Sequence, residues 1–313
     1  MIIARSLSDI GDSLRPSVVT IGKFNAIHRG HVAMISQATE IAAERGLHSI
    51  VVTFDRHPAA LLTPENVPAD ITGVNRRLEL MSFTGVEACL ILPFTQELAD
   101  LTPEEFVQQI LVDGLSARCV VVGEDFRFGK AAQGTVATLH ELSESYGFDV
   151  LEGQEVTDDS GARIASSLVR RLIIGGDVRG AARALGRTHA MQGEVVHGEK
   201  KGRELGYRTA NLSPQATGMM PGDGVYAGWI IRPDGVRFAA AISVGTNPSI
   251  EGVRDRVVEA HCFEPPGDLY GQIVVIEFVD YIRGMMTFDN LDDLIWQMGR
   301  DVETIRALLS TPA

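Results

Sequence analysis

Between Ser17 and Phe54 the chain reads as strand, glycine, helix, strand, and few folds accommodate that order. The run SVVTI is short and apolar and is closed by Gly22. From His28 to Arg45, Val32, Ile35, Ala38, Ile41 and Ala42 recur at helical spacing, and Ser49 to Phe54 is apolar again. Two buried strands joined by a helix imply a parallel sheet with a right-handed crossover. Further strands are expected at Ala88–Leu92 and Cys119–Gly123, and a helix at Val136–Tyr146. Another helix is expected at Pro103–Leu111, with Thr102 as its N-cap and Pro103 in first position. The first half therefore reads as doubly wound α/β.

The texture changes after about Gly186. Gly193–Val196, Gly224–Arg232, Arg237–Val244, Arg256–Phe263 and Gln272–Phe278 are short segments rich in Val, Ile, Phe and Tyr, separated by Gly, Pro and Asp. That spacing suggests a small antiparallel barrel or a sandwich. A helix at Asp177–Arg187 joins the halves, and another at Leu291–Leu309 opens with Asp292 and Asp293 at its positive end. A length of 313 residues agrees with two domains.

Composition narrows the partners. With 28 basic against 41 acidic residues the formal net charge is −13, and such a surface repels nucleic acid and anionic membrane. Small phosphorylated substrates remain compatible, because a site needs only local donors. Cys89, Cys119 and Cys262 have no metal-ligand spacing, and the first two sit in strand-like apolar runs as buried small residues. Met1 to Arg15 lacks an apolar core of signal-peptide length, and no later run is long enough to span a bilayer. A cytoplasmic protein is expected.

Three segments carry chemistry. In Gly22-Lys-Phe24-Asn25-Ala-Ile-His28-Arg-Gly30-His31, Gly22 ends a strand and lets backbone approach a ligand. His28 and His31 share one face at a helix start, where free N–H groups and positive potential suit a triphosphate. Their imidazoles can stabilise charge developing at phosphorus. Ser166, Ser167 and Arg170 place two hydroxyls and a guanidinium at another helix start, again suited to phosphate oxygens. In the second half Gly198, Gly202 and Gly206 belong to a glycine-rich loop able to wrap phosphates. Lys200 and Lys201 read as solvated loop charges. Thr209 and Asn211, two apart on an extended segment, point to one side, where both can face a metal-bound nucleotide.

These motifs resemble, in order and over almost the whole chain, the bacterial bifunctional riboflavin kinase/FAD synthetase family. The first resembles its G-x-F-D-G-V-H-x-G-H, with Asn25 and Ala26 replacing Asp-Gly. Thr53-Phe-Asp-Arg-His57-Pro58 resembles T-F-D-P-H-P. Gly123-Glu-Asp125-Phe126-Arg127-Phe128-Gly129 resembles G-x-D-F-R-F-G, and Ile164-Ala-Ser166-Ser167-Leu-Val-Arg170 resembles I-S-S-T-x-I-R, with Ala165 in place of the first Ser. Gly198 to Asn211, including Arg203, resembles the kinase pattern ending G-R-x-L-G-F-P-T-A-N, with Arg208 in place of Pro. Asn247-Pro248-Ser249, Val258-Glu259-Ala-His261, Asp268-Leu-Tyr270-Gly271 and Arg283 match further kinase segments.

The resemblance implies a Rossmann-like nucleotidylyltransferase domain over 1–186 and a β-barrel riboflavin kinase domain with a C-terminal helix over 187–313. It implies riboflavin, FMN and ATP as small-molecule substrates, FAD as product, and Mg²⁺ near Thr209, Asn211 and the ATP phosphates. Glu259 aligns with the general base that takes the ribityl hydroxyl proton. His28 and His31 would support attack of the FMN phosphate on the α-phosphorus of ATP. Gly22, Phe24, Asn25, Gly30, Asp125, Phe126, Arg127, Phe128, Ser166, Ser167, Arg170, Gly198, Gly202, Arg203, Gly206, Thr209 and Asn211 would contact flavin or nucleotide. For Phe128 a core position is the alternative. Arg208 either binds phosphate or displaces the metal. The departures at Asn25-Ala26, Ala165 and Arg208 also leave open a diverged enzyme with one working site or another substrate, and a flavin-binding protein without turnover.

Overall fold

The computed structural model describes residues 1–197, 209–246, 256–288 and 290–310. They form two compact units, one of 1–69 with 74–164 and one of 70–73 with 165–313.

The first unit is built on six parallel strands: β1 (Ile2–Ala4), β2 (Ser17–Ile21), β3 (His48–Phe54), β4 (Ala88–Leu92), β5 (Ala117–Val122) and β6 (Asp149–Glu152). Their spatial order is β1-β4-β3-β2-β5-β6. Both β2 and β4 are buried at every position, as expected of strands covered on both faces. Alternation along β2 makes this concrete. Val19 and Ile21 face a core with Ile50, Phe106 and Leu111, while Val18 faces another with Ile35, Ala38 and Val51. The expected doubly wound sheet is present. The order reverses at β2, since β3 and β4 lie to one side and β5 and β6 to the other. Ligands of such sheets bind at the carboxyl ends of the strands flanking that reversal, here β2 and β5.

The expected elements recur with small shifts. The Arg29–Arg45 helix is capped by His28 and ends at Gly46, whose φ of 63° suits glycine. Thr102 caps Pro103–Phe106 through a capping box with Glu105. That helix continues as a widened π turn, Val107–Gly114, beyond the expected end at Leu111. Gly114 permits it, because a Cβ there would lie 2.9 Å from the Gln109 carbonyl oxygen.

The second unit is a closed barrel, which removes the sandwich alternative. Its strands are β7 (His189–Val196), β8 (Thr209–Leu212), β9 (Gly224–Ile231), β10 (Arg237–Thr246), β11 (Arg256–Cys262) and β12 (Ile273–Arg283), in the order β10-β11-β8-β7-β12-β9. Pairing of β9 with β10 closes the ring. Tyr226, Ile230, Ile242, Val258, Ile276 and Phe278 belong to its core. The Ser166–Ile174 and Val178–Leu185 helices and the Leu291–Ser310 helix belong to this unit. The packing boundary at Ile164 thus precedes residue 186, because the helices between them pack with the barrel.

All three cysteines are buried free thiols, and burial pushes Cys89 and Cys262 up to about 12 and raises Cys119 as well. No helix among the described residues is long and apolar enough to cross a membrane.

Candidate active sites

At the carboxyl end of β2 the chain turns sharply. Phe24 and Ile27 take φ of 46° and 44°, a left-handed conformation that bulky residues rarely adopt. The turn is nevertheless tightly packed, with Phe24 and Ala26 wholly buried and Asn25 and His28 nearly so. It delivers the two histidines as one object. His28 Nδ1 accepts the His31 backbone N–H at 3.2 Å, which leaves the proton of a neutral His28 on Nε2. The rings stack at 3.6 Å and 15°, and the Phe24 ring meets His31 edge-on at 5.1 Å. Gly30 is needed for this, since a Cβ there would lie 3.3 Å from the His28 ring and 3.5 Å from the Ile164 carbonyl.

Beside it, at the end of β3, the Asp55 carboxylate accepts the Phe94 N–H at 2.8 Å and pairs with Arg56 at 3.3 Å. Desolvation raises the Asp55 pKa, but that hydrogen bond and Arg56 outweigh it and leave the group below its ordinary value. His57 Nδ1 accepts the Ala59 N–H at 3.1 Å.

The Gly123–Gly129 segment follows β5, on the other side of the reversal. Asp125 is exposed and paired with Arg163 at 3.1 Å, and Arg163 also holds Glu124. Phe126 is half-buried and stacks on Phe128 at 5.3 Å and 15°, while Arg127 is exposed. Phe128 is 5% exposed and packs 5.6 Å from Phe106, so it occupies the core position that the sequence left as the alternative.

Ser166, Ser167 and Arg170 open the Ser166–Ile174 helix. Its N-cap is Ala165, in extended conformation and without a side-chain acceptor. Arg170 is half-buried; desolvation lowers its pKa from the ordinary guanidinium value, with Asp70 opposing.

The second candidate site lies on the outside of the barrel. Along β11, Val258, Ala260 and Cys262 face the interior, so Glu259 and His261 face outward. Strand register sets their neighbours. One row runs Arg283, Val225, Ser243, Glu259, Asn211 across five strands, and a second runs Ala227, Ala241, His261, Thr209. Directly opposed residues of this kind hold their Cβ atoms about 5 Å apart. Glu259, singled out in the sequence apart from the Thr209–Asn211 pair, therefore lies directly opposite Asn211 and diagonal to Thr209.

The Leu291–Ser310 helix covers part of this face. Between them lies a cavity of about 650 Å³ whose lining includes Thr209, Ser243, Glu259, His261 and Arg283. Met285, Met286, Phe288, Leu294 and Met298 make its apolar side. A buried ion pair anchors the helix: Arg283 Nε donates to both Asp301 oxygens at 3.1 and 3.0 Å, and Nη2 donates at 2.7 Å. Gln297 adds a fourth hydrogen bond, donating at 2.8 Å. Ser243 and the methionines carried no motif; alternation from Glu259 and register with β10 would have found Ser243. Gly198, Gly202, Arg203, Gly206, Arg208 and Asn247-Pro248-Ser249 lie outside the described residues.

Comparison with known proteins covers both units. The FAD synthetase family model matches residues 11–168, and the riboflavin kinase model matches 185–309. The bifunctional riboflavin kinase/FMN adenylyltransferase of Pseudomonas fluorescens is 34% identical over all of this chain and 99% of its own. The chain belongs to the bifunctional riboflavin kinase/FMN adenylyltransferase family. The Escherichia coli K12 member is 33% identical, covering 95% of this chain and 94% of that one. A crystal structure named as the macrolide-efflux protein of Streptococcus pneumoniae matches with a TM-score of 0.87 and 32% identity, over 97% and 98% of the two chains. The parallel sheet falls almost wholly within the FAD synthetase match and the barrel within the riboflavin kinase match.

Proposed function

We propose that this chain makes FAD from riboflavin in two ATP-dependent steps, with adenylyl transfer assigned to 1–186 and the kinase to 187–313, in the cytoplasm. The observation that carries the reading is the outward row on the barrel, in which Glu259 stands between Ser243 and Asn211 and opens into the 650 Å³ cavity.

In the kinase step, Glu259 accepts the proton of the terminal ribityl hydroxyl as that oxygen bonds to the γ-phosphorus. The bond from the γ-phosphorus to the bridging oxygen breaks, and ADP leaves. One placed carboxylate suffices, because phosphoryl transfer depends mainly on positioning and charge stabilisation. The apolar side of the cavity suits a flat ring system, and its polar floor suits a polyol. Thr209 and Asn211 offer a hydroxyl and an amide oxygen on one face of β8, hard oxygen ligands that fit Mg²⁺, while Glu259 on the neighbouring strand serves as the base. Bound there, the ion neutralises phosphate charge.

In the second step an FMN phosphate oxygen bonds to the α-phosphorus of ATP and pyrophosphate leaves. His28 donates from Nε2 toward the phosphates, and His31, stacked against it, shares that task. The family resemblance gives Ser166, Ser167 and Arg170 further phosphate oxygens, and gives Asp125, Phe126 and Arg127 the flavin. Phe128 supports Phe126 by stacking rather than touching ligand.

The test is incubation of the purified chain with riboflavin, ATP and Mg²⁺, resolving flavins over time. FMN followed by FAD is expected. If neither riboflavin nor added FMN is converted, the reading fails.

A further inference from the structure

The turn that carries the histidines is held from behind by a side chain that no motif marks. Arg77, on the Val74–Ser82 helix, is 6% exposed. Its Nη1 donates to the Lys23 carbonyl at 3.0 Å and its Nη2 to the Phe54 carbonyl at 3.0 Å. The Thr53 hydroxyl donates to the same Lys23 carbonyl at 3.2 Å. These carbonyls lie where β2 and β3 part. The Gly22 N–H still reaches the Val52 carbonyl at 3.1 Å, and past that point the guanidinium takes over the bridging. Its planar fork presents N–H donors at a fixed separation, which an ammonium cannot do.

Pairing its own buried guanidinium would be reason enough for these two bonds. The backbone beyond it calls for more. A trans peptide is a rigid plane, so fixing the Lys23 carbonyl fixes the plane from which Phe24 departs. Phe24 then takes its φ of 46° and Ile27 its φ of 44°, conformations that persist only where the surroundings over-determine them. Phe24 touches His31, and the turn ends at His28.

We propose that Arg77 is a positioning residue for adenylyl transfer: by clamping the Lys23 and Phe54 carbonyls it holds the turn in its strained form and keeps the His28–His31 stack aimed at the phosphates. The proposal rests on the transferase reading of the first unit. It places Arg77 away from the reacting atoms and has it act through the histidines.

The test uses the full chain with Arg77→Met and Arg77→Lys. FAD formation from FMN and FMN formation from riboflavin are measured on the same preparation, and the imidazole resonances of His28 and His31 are followed by NMR. Arg77→Met lowers kcat for FAD formation by about 10²-fold, the scale of a misplacement near 1 Å. Arg77→Lys, able to keep one of the two hydrogen bonds, falls between. The kinase kcat stays unchanged, and the His28 and His31 resonances shift. A merely structural arginine would reduce the folded fraction while leaving kcat per folded molecule and the ring resonances of the remainder unchanged; that result overturns the proposal. Should Arg77→Met fail to fold, Thr53→Val removes one donor to the Lys23 carbonyl and gives a smaller loss in the same direction. Unchanged kcat and unmoved resonances in that variant also overturn it. If the unsubstituted chain makes no FAD, the transferase reading fails, and the ring resonances alone decide whether Arg77 positions the histidines.

Discussion

Replacing Asp301 with Asn should loosen the wall of the cavity on the barrel's outer face by an amount the structure sets. Asp301 is 5% exposed and accepts from Arg283 Nε and Nη2 and from Gln297. Asn keeps one acceptor oxygen, turns a donor toward the guanidinium and removes the charge. Breaking one partner of a buried pair costs about 3–5 kcal/mol, and the residual exposure of Arg283, 19% of its side chain, points to the lower end. At about 1.4 kcal/mol per decade, 3 kcal/mol is roughly a 10²-fold shift in helix docking. Hydrogen exchange read by mass spectrometry should show amides of Leu291–Ser310 losing protection by about that factor. KM for riboflavin should rise, because Leu294, Met298 and Val302 leave the cavity wall with the helix. Arg283→Met combined with Asp301→Asn should recover much of the protection, since neither variant residue leaves a buried charge. Unchanged protection in the single variant, or a double variant no better than the single, would refute this account of how the helix is held.

Glu259→Gln should lower FMN formation by about 10²–10⁴-fold while FAD formation from added FMN persists, both read by chromatography. His189 should make the barrel acid-sensitive. Burial holds its pKa down to about 4, with Arg187 in the same direction and the Met219 carbonyl opposing. The unfolded imidazole titrates near 6.5, so between those values the unfolded state binds more protons, and stability falls as pH drops through that window. About 3 kcal/mol should be lost between pH 7 and pH 4, and less in His189→Gln. Tryptophan fluorescence in urea isolates this unit, because the chain's 2 tryptophans, Trp229 and Trp296, both lie in it. Ala165→Ser should supply the missing N-cap acceptor and raise stability by about 1 kcal/mol in the same assay.

Much of this architecture was legible because long apolar or periodic runs leave little choice. Ala88–Leu92 and Val136–Tyr146 appear at their expected bounds. Two short strands escaped notice. Ile2–Ala4 has two exposed residues, and Asp149–Glu152 begins and ends on exposed acids, so neither shows a buried run. The Val74–Ser82 helix was missed because NRRLE interrupts its apolar residues, and one of those polar positions, Arg77, is buried. At the sites, motifs led to His28, His31, Thr209, Asn211 and Glu259. They did not lead to residues whose place depends on pairing between distant strands, such as Ser243 opposite Glu259.

The outward row on the barrel has a consequence for how this enzyme can change. Because the interior is filled by Val258, Ala260 and Cys262 while Glu259 and His261 face the cavity, fold and chemistry are written in alternate letters of one strand. Saturation mutagenesis along residues 257–262 should therefore produce a comb: abundance of folded protein collapses at even positions, and kinase turnover collapses at 259 with abundance intact. Drift toward another polyol acceptor has only the odd teeth to work with.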